Sequence, residues 1–236
     1  MLATQRAVLA DSGMRNYLRR IPPNSALHVP GLDYDNWYIG TVLDYSGEHN
    51  HGTITGVTWA RLPSGLWYLD FADLQYINCG TGASLNITGV MSAYLWMNPT
   101  DKANYGVVIA RLDNPEGNNI QYLLTVDNTA DTLNYYNSAG AWKLSTFTVD
   151  YGVWGLYGFT YDGTNVSLMK NGVIEAGQAV GAPVSQAAYQ FLINASWSGT
   201  PRYGLGGKAL LRVKNTVTSA SQFLDVYQQE RDFFGV

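Results

Sequence analysis

The sequence predicts a single all-β domain of the sandwich or barrel type. Composition is the first observation: 25 Gly, 17 Tyr and 7 Trp stand against only 14% charged residues. Aromatic side chains fit pleated surfaces, and Gly supplies the positive φ of tight turns. Length is the second observation, because 236 residues with 46% hydrophobic content are enough to bury a full core in one domain.

Short apolar or alternating runs are the third observation, and they fill the chain from about residue 26 to 217. These runs are bounded by Gly, Asn, Asp and Pro, which is typical of the strands in a sandwich or barrel. No sequence pattern recurs with a period of about 20 to 50 residues, which excludes propellers and solenoids. The candidate strands include residues 56–61, 67–71, 91–97, 106–111, 121–126, 132–137, 152–161, 165–170, 189–193 and 209–214.

Two dipeptides predict tight hairpin turns. Asp162-Gly163 and Asn171-Gly172 each lie between strand-like runs. Both dipeptides accept the left-handed backbone conformations that two-residue turns require. We therefore expect antiparallel strands on either side of each turn.

Residues 1–25 form a separate N-terminal arm in this prediction. Apolar residues recur there with a loose helical spacing, and Pro22-Pro23 ends any helix. Arg15, Arg19 and Arg20 place three positive charges in the second half of the arm, before the two prolines. Two interpretations stay open. The arm could dock on a neighbouring subunit, or it could pack on its own domain or be a partly disordered terminus.

Residues 218–236 predict a short helix that closes the chain against the sandwich. Ser219 and Gln222 have the spacing of a capping box, in which each side chain bonds the backbone amide of the other residue. Apolar residues then recur at roughly helical spacing before Gly235, at Phe223, Val226, Tyr227, Phe233 and Phe234.

Charge and cysteine content exclude several classes of function. A net charge of −4 and a pI near 5.2 provide no basic surface for phosphates, so we expect no nucleic-acid partner. No run of about 18 apolar residues occurs, so we expect no membrane span. Cys79 is the only cysteine, which rules out an internal disulfide, and we expect it to be a small buried hydrophobic residue.

The stretch DYSGEHNHGT at residues 44–53 holds two of the three histidines, two positions apart. On a strand that spacing points both side chains the same way, so the stretch is either a metal or acid/base site or only a turn. A metal site on His49 and His51 would need a third and a fourth ligand, and the only other histidine is His28.

Five segments in order carry a family resemblance. They are LDYSGEHNHGT at 43–53, LDFADLQYINCG at 69–80, MSAYLWMNP at 91–99, WGLYGFTYDGTNVSLMKNGV at 154–173 and GGKALLRVKNTVTSASQ at 206–222. Together they resemble the laminin G-like branch of the concanavalin A-like lectin/glucanase superfamily over about residues 40–230. The fourth segment is the most specific, because its tryptophan, its strand and its two turns stand where the family has them.

The resemblance implies a two-sheet antiparallel jelly-roll sandwich over residues 26–217, with rim loops often used for carbohydrate or protein recognition. It also implies that residues 44–53 are a structural loop. In that loop we expect Asp44 and Ser46 to bond local backbone amides. We expect Gly47 and Gly52 to supply free φ, and His51 to pack or bond inside.

We expect no cofactor. The resemblance suggests calcium as the one candidate, but the residues that would bind it are incomplete. Many relatives carry an acidic residue after the Gly-Lys near the last strand, at a position linked to a structural calcium ion. Here Gly207-Lys208 is followed by Ala209 and Leu210. Asp70 and Asp73 are short of the six to eight oxygens that calcium takes, which would leave loop carbonyls to supply the rest.

Related folds include glucanases, but the acidic residues disfavour a glycoside hydrolase. Retaining hydrolases place two carboxyl groups about 5 Å apart. Asp70 and Asp73, three apart on a predicted strand, would point to opposite faces. No Gly-x-Ser-x-Gly motif exposes a serine, and we predict that the protein is not an enzyme. The four glutamates all fall in predicted loops, turns or the terminal helix: Glu48, Glu116, Glu175 and Glu230.

A sugar site needs aromatic faces that stack on pyranose rings and polar groups that bond the hydroxyls, gathered on loops. Trp197 is the foremost candidate, since it lies among Ser, Gly, Thr and Pro in a predicted loop. Tyr136 and Trp142 could instead be strand aromatics that cover a half-buried sheet. The full set of candidate carbohydrate-binding residues is Trp197, Asn194, Tyr203, Trp142 and Tyr136.

The sequence predicts a non-catalytic surface module, a structural or decoration protein of a phage or virus virion that adheres to glycans. The opening segment lacks the apolar core of a signal peptide, and virion proteins need none. Arg15, Arg19 and Arg20 of the arm would bind a capsid or tail protein, or a second copy of the chain. The alternative is a soluble lectin domain of a cell-surface protein, with an extracellular or cell-surface location.

Overall fold

The structure is a computed structural model that describes residues 17–18, 23–29, 40–100, 106–112, 120–140, 142–185, 187–195 and 204–236. Two antiparallel sheets of nine and eight strands pack face to face. With strands numbered in chain order, the first sheet contains β1 (Ser25–His28), β4 (Thr58–Arg61), β5 (Trp67–Phe71), β7 (Met91–Pro99), β12 (Gly155–Tyr161), β13 (Asn165–Lys170), β14 (Val173–Ile174), β15 (Gln178–Ala179) and β17 (Gly206–Lys214). The second contains β2 (Thr41–Val42), β3 (Gly52–Thr55), β6 (Tyr76–Asn78), β8 (Gly106–Leu112), β9 (Ile120–Val126), β10 (Thr132–Tyr136), β11 (Lys143–Thr148) and β16 (Gln190–Ile193).

Strand order confirms the predicted jelly-roll sandwich. The first sheet runs β14-β13-β12-β7-β17-β5-β4, with β1 beside β17 and β15 beside β13. The second sheet runs β11-β10-β9-β8-β16-β6-β3-β2. Many spatial neighbours are therefore distant in sequence, as the crossing connections of a jelly roll require. A short 3-10 helix spans Ala83–Leu85, and an α-helix near the end of the chain, α1, spans Ala220–Phe234.

The core lies between the sheets, and alternation along each strand builds it. On β7, Ala93 and Leu95 face the core between the sheets, whereas Tyr94 and Trp96 face outward. The outward residues are nevertheless buried, because α1 packs over them: the rings of Trp96 and Phe234 stack with centroids 4.1 Å apart. The sheet is thus covered on both faces, which explains why β7 reads as one continuous apolar run.

Both predicted hairpins are confirmed. Strand β12 pairs with β13, and β13 pairs with β14. In the first turn, Asp162 Oδ1 accepts hydrogen bonds from the backbone amides of Thr164 and Asn165 at 2.8 and 2.7 Å. In the second turn, Asn171 and Gly172 have φ of 48° and 85°, the left-handed conformation that favours these residues.

The predicted C-terminal helix and its capping box are also confirmed. Ser219 Oγ accepts a hydrogen bond from the Gln222 amide, and Gln222 Oε1 accepts one from the Ser219 amide at 2.9 Å. The helix ends at Gly235, which has a φ of 74°. No described helix has both the length and the hydropathy of a membrane span. Cys79 is buried as a free thiol, as expected.

The described part of the arm packs on its own domain. Tyr17 and Leu18 are helical, and Leu18 is buried. The Tyr17 hydroxyl donates to Glu230 Oε1 of α1 at 2.8 Å, and the Leu18 carbonyl lies 3.2 Å from His28 Nε2. For these two residues the structure supports the second interpretation of the arm. Arg15, Arg19 and Arg20 lie outside the described residues.

Residues 44–53 form the predicted structural loop, with two corrections. Asp44 is buried, and its carboxylate accepts from the amides of His28, Ser46 and Asn50 at 2.8 to 3.0 Å. His51 is exposed rather than packed inside, although its Nδ1 accepts from the Asp44 amide at 3.0 Å.

The two glycines of this loop differ in their roles. Gly47 has a φ of 91°, as expected. Gly52 does not have a positive φ, so the expectation for it is wrong. A Cβ at Gly52 would lie 2.4 Å from Ile77 Cγ2, and this close approach of two strands is what excludes a side chain.

Candidate functional site

The outer face of the second sheet, which points away from the core, carries the candidate site. On β9 and β10 the alternation places Tyr122, Leu124 and Tyr135 in the core. The residues between them therefore face outward. These are Leu123 and Thr125 on β9, which pair directly with Tyr136 and Asn134 on β10.

Tyr136 and Trp142 form an aromatic pair on this face. Their ring centroids are 4.9 Å apart and their planes are inclined by 37°. Trp142 is 42% exposed and Tyr136 is half-buried, so the two rings together present apolar surface to the solvent. Exposed apolar surface of this kind often marks a binding site.

The turn between β10 and β11 brings the two rings together. Asn137 is buried in this turn. Its side-chain amide stabilises the turn with both its nitrogen and its oxygen. Its Nδ2 donates to the Gly181 carbonyl at 3.0 Å, and its Oδ1 accepts from the Ala139 amide at 3.1 Å. The chain then reverses into β11 and places Trp142 beside Tyr136 on the same face.

Polar groups border the aromatic pair. Thr125 is buried, and none of the described residues forms a hydrogen bond with its hydroxyl. Asn134, opposite Thr125, accepts from the Thr132 hydroxyl at 2.9 Å through its Oδ1. Leu144 of β11, opposite Asn134, adds exposed apolar surface. We call Thr125, Asn134, Tyr136, Trp142 and Leu144 the aromatic platform.

Asn194, a sequence candidate, lies inside the protein. It is fully buried at the end of β16. Its Nδ2 donates to the Gln75 carbonyl at 2.8 Å, and its Oδ1 accepts from Lys208 Nζ at 2.6 Å. Both ends of the amide are thus bonded to protein groups and do not face a ligand. Trp197 and Tyr203 lie outside the described residues.

Of the predicted carbohydrate-binding residues, the structure therefore brings together Tyr136 and Trp142. Thr125 and Leu144 were missed by the sequence reasoning. A usable signal existed for Thr125, because the alternation of the predicted strand 121–126 already assigns it to the face opposite the core.

Lys208 occupies the region in which calcium was considered. Its ammonium is buried, donates to Asn194 Oδ1 and to the Gly204 carbonyl at 2.6 Å each, and lies 4.6 Å from the centroid of the Phe71 ring. Burial lowers the pKa of this lysine to about 7. Two oxygens that could ligate a cation are thus bonded to an ammonium group, which does not fit calcium. Within the described residues, no three His, Cys, Asp or Glu side chains are grouped to hold a metal.

The described glutamates lie on separate elements. Glu230 of α1 is buried in an ion pair with Arg212. Glu175, after β14, accepts from the Thr146 amide at 2.8 Å. Glu48 is exposed in the loop at 44–53, and Glu116 lies outside the described residues.

Comparisons with known proteins agree with this architecture. A laminin G model of the concanavalin A-like lectin/glucanases superfamily matches residues 72–222. No curated protein matches the chain. The matched range begins after β5 and runs into α1, so it includes the aromatic platform.

Three solved structures illustrate the similarity of fold. Domain 4 of AbnA, a GH43 extracellular arabinanase from Geobacillus stearothermophilus solved in complex with arabinotriose, has a TM-score of 0.66 at 19% identity, over 87% of this chain and 98% of that one. The binding domain of Paraclostridial Mosquitocidal Protein 1 has a TM-score of 0.69 at 12% identity, over 92% and 56%. A Trypanosoma rangeli sialidase mutant displaying trans-sialidase activity has a TM-score of 0.63 at 12% identity, over 100% and 40%.

The chain spans only 40% of the sialidase and 56% of the mosquitocidal binding domain, whereas it matches the arabinanase domain over nearly its whole length. At these identities the similarity establishes the fold alone. The family match covers well over half of the 236 residues, and the chain belongs to the concanavalin A-like lectin/glucanases superfamily.

Proposed function

We propose that the chain is a non-catalytic carbohydrate-binding module in which a sugar ring stacks on the aromatic platform. The observation that carries the proposal is the exposure of Trp142 beside Tyr136 on the outer face of the second sheet. An indole face can cover one side of a pyranose or furanose ring. Leu144, which is also exposed, extends the apolar surface beside the two rings.

The expected affinity follows from the size of the platform. Two aromatic rings and a few polar groups offer a small contact area, and part of the gain is offset by the lost freedom of the sugar. A Kd on the order of 1 mM, or about −4 kcal/mol, is therefore reasonable for a single sugar ring. Domain 4 of AbnA, a domain of the same fold and similar extent, was solved with arabinotriose, which makes short oligosaccharides sensible first ligands.

A non-catalytic role is part of the proposal. Glu230 is fully buried and paired with Arg212, so it is not accessible to a substrate. Glu175 lies on another part of the fold and accepts a hydrogen bond from Thr146. Glycoside hydrolysis needs two carboxyl groups on either side of one glycosidic bond, and these two glutamates do not provide that arrangement.

A glycan array on the full chain, followed by calorimetry with the strongest ligands, tests the proposal. Trp142→Ala should lower the affinity about tenfold or more, because stacking on an aromatic ring contributes a large share of so small a contact. Leu144→Ala, which removes exposed apolar surface beside the rings, should lower it less. The matched control is Leu224→Ala, an exposed leucine on α1, which should bind as the wild type does. Unchanged binding by Trp142→Ala, or no glycan bound at all, would reject the proposal.

A place on a virion surface is the finer form of this proposal, with a capsid or tail protein or a second copy as partner. Its support is the sequence of the arm, where Arg15, Arg19 and Arg20 flank Tyr17 and Leu18. Light scattering on the full chain and on a variant that begins at Ser25 tests the self-association form. A defined oligomer that is lost on truncation supports it, and two monomers reject it. The alternative is an extracellular or cell-surface lectin.

A further inference from the structure

A cavity of about 230 Å³ lies on the outer face of the first sheet, on the opposite side of the sandwich from the aromatic platform. Strands β7 and β17 form its floor, α1 forms one wall, and Tyr17 lines the other side. The lining residues are Tyr94, Arg212 and Lys214 from the floor, Gln222, Asp225 and Val226 from α1, and Tyr17 from the arm.

Lys214 is the unusual member of this lining. The residue is only 8% exposed, yet no described residue forms a hydrogen bond or an ion pair with its ammonium group. The Nζ atom is not among the buried polar atoms that lack a partner, so the ammonium group reaches the solvent in the cavity and is open to an anionic ligand. Burial lowers the pKa of Lys214, and the neighbouring positive charge of Arg212 lowers it further.

The nearby carboxylate of Glu230 does not supply that anion. Glu230 pairs with Arg212 and also accepts from Trp96 Nε1 at 2.7 Å and from the Tyr17 hydroxyl at 2.8 Å. The charge of Arg212 is therefore neutralised, and both carboxylate oxygens of Glu230 already accept hydrogen bonds from protein groups. Lys214 remains as the unneutralised cation of the cavity.

The other lining groups differ between the floor and the rim. The Tyr94 hydroxyl has no described partner. Gln222 uses its Oε1 to accept from the Ser219 amide, which leaves its Nε2 as a donor. Asp225 is exposed at the mouth of the cavity and is an acceptor. A ligand that fits carries an anionic group at its inner end and hydroxyl donors at its outer end.

The volume sets the size of the ligand. A cavity of about 150 Å³ holds a benzene ring, so the present cavity has room for one six-membered ring with its substituents. We propose that this cavity binds a sugar acid of one ring, with the carboxylate on Lys214 and ring hydroxyls directed to Asp225. This site is independent of the aromatic platform.

Calorimetry on the full chain with D-glucuronate tests this proposal, with D-glucose as the neutral probe and inorganic sulfate as the simple anion. We expect glucuronate to bind more tightly than either. Lys214→Met should weaken glucuronate binding about tenfold or more, because a charge-assisted contact is lost. Asp225→Ala, at an exposed position, should weaken it less and should not disturb folding.

Three results would overturn the proposal. Lys214→Met could bind glucuronate as the wild type does, or glucose could bind as well as glucuronate to the Trp142→Ala chain, in which the aromatic platform is disrupted. Sulfate could also bind as tightly as glucuronate, which would indicate a simple anion site. Trp142→Ala separates the two proposals: it should leave glucuronate binding unchanged, and a loss would place the ligand on the aromatic platform instead. Failure of neutral glycans to bind would reject only the platform.

Discussion

Arg212 of β17 and Glu230 of α1 form an ion pair in which both residues are withdrawn from solvent, at 3% and 0% exposure. The same carboxylate accepts from Trp96 on β7 and from Tyr17 in the arm. One buried carboxylate thus connects two strands of the first sheet, the C-terminal helix and the N-terminal arm. The helix is attached by this polar network as well as by the stacked rings of Trp96 and Phe234.

Glu230→Gln should destabilise the protein strongly, since Arg212 would be left buried without an anion. Breaking a buried ion pair from one side typically costs about 3–5 kcal/mol, and urea unfolding measures the change. The double variant Arg212→Met with Glu230→Met is the control. Because it removes both charges, it should lose less stability than the two single changes together. A loss below about 1 kcal/mol for Glu230→Gln would mean that water, not Glu230, balances the charge of Arg212.

Removal of the arm should lower stability even though the sandwich remains complete. Tyr17→Phe deletes one hydrogen bond to a charged group, which costs about 1.5 kcal/mol. A chain that begins at Ser25 also loses the buried side chain of Leu18, worth about 1.5–3 kcal/mol more. Thermal and urea unfolding of the three proteins check this order. Equal stability of the full and shortened chains would contradict the contacts of Tyr17 and Leu18.

Lys208 should make the protein more stable as the pH rises from neutrality. Its pKa is about 7 in the folded state, below the ordinary value of about 10.4 in the unfolded chain. Between these values the unfolded chain binds more protons, so stability increases by up to about 1.4 kcal/mol per pH unit. Below pH 7 both states are protonated and the cost of the buried charge is constant.

Urea unfolding between pH 7 and 8.5 measures this slope. Lys208→Met should flatten it, because the titrating group is gone. The lowered pKa of Lys214 acts in the same direction, so Lys214→Met is the matched control and should remove only its own share. The same slope in Lys208→Met and wild type would place the titration elsewhere.

Gly47 and Gly52 should respond differently to substitution. Gly47 is required by its backbone conformation, whereas Gly52 is required because there is no room for a side chain. Gly47 has a positive φ and open space around it, so Gly47→Asn should cost less than Gly47→Ala, since Asn tolerates left-handed conformations. At Gly52 even Ala meets Ile77, and Gly52→Ala should cost about 1–3 kcal/mol. Unfolding midpoints of the three variants decide this, and a mild Gly52→Ala would refute the close approach.

Much of the fold could be predicted because its signals are local. The bounds of β5 and β13 agree with the predicted strands 67–71 and 165–170, and the capping box needs only Ser219 and Gln222. The short strands β2, β3 and β6 were missed, because two to four residues carry no readable alternation. They exist because neighbouring strands supply hydrogen bonds, and that information is not local.

The candidate site was predictable only in part. Tyr136 and Trp142 are six positions apart, so a turn suffices to pair them. Asn194 lies among loop-like residues and was taken for a surface amide. Its burial follows from Lys208, which is distant along the chain and reaches it only when β16 and β17 have taken their places in different sheets. No pattern in the sequence near Asn194 carries that contact.

The hydrogen bond between Tyr17 and Glu230 joins residues 213 positions apart, and this has a consequence for biosynthesis. On the ribosome, the outward face of β7, β12 and β17 is complete before α1 has emerged. Trp96, Leu156 and Leu210 then form an exposed hydrophobic surface. Such a surface makes a nascent chain prone to aggregation. The last turns of α1 must emerge before that surface is sealed, so we expect ribosome-bound intermediates stalled before Glu230 to recruit chaperones.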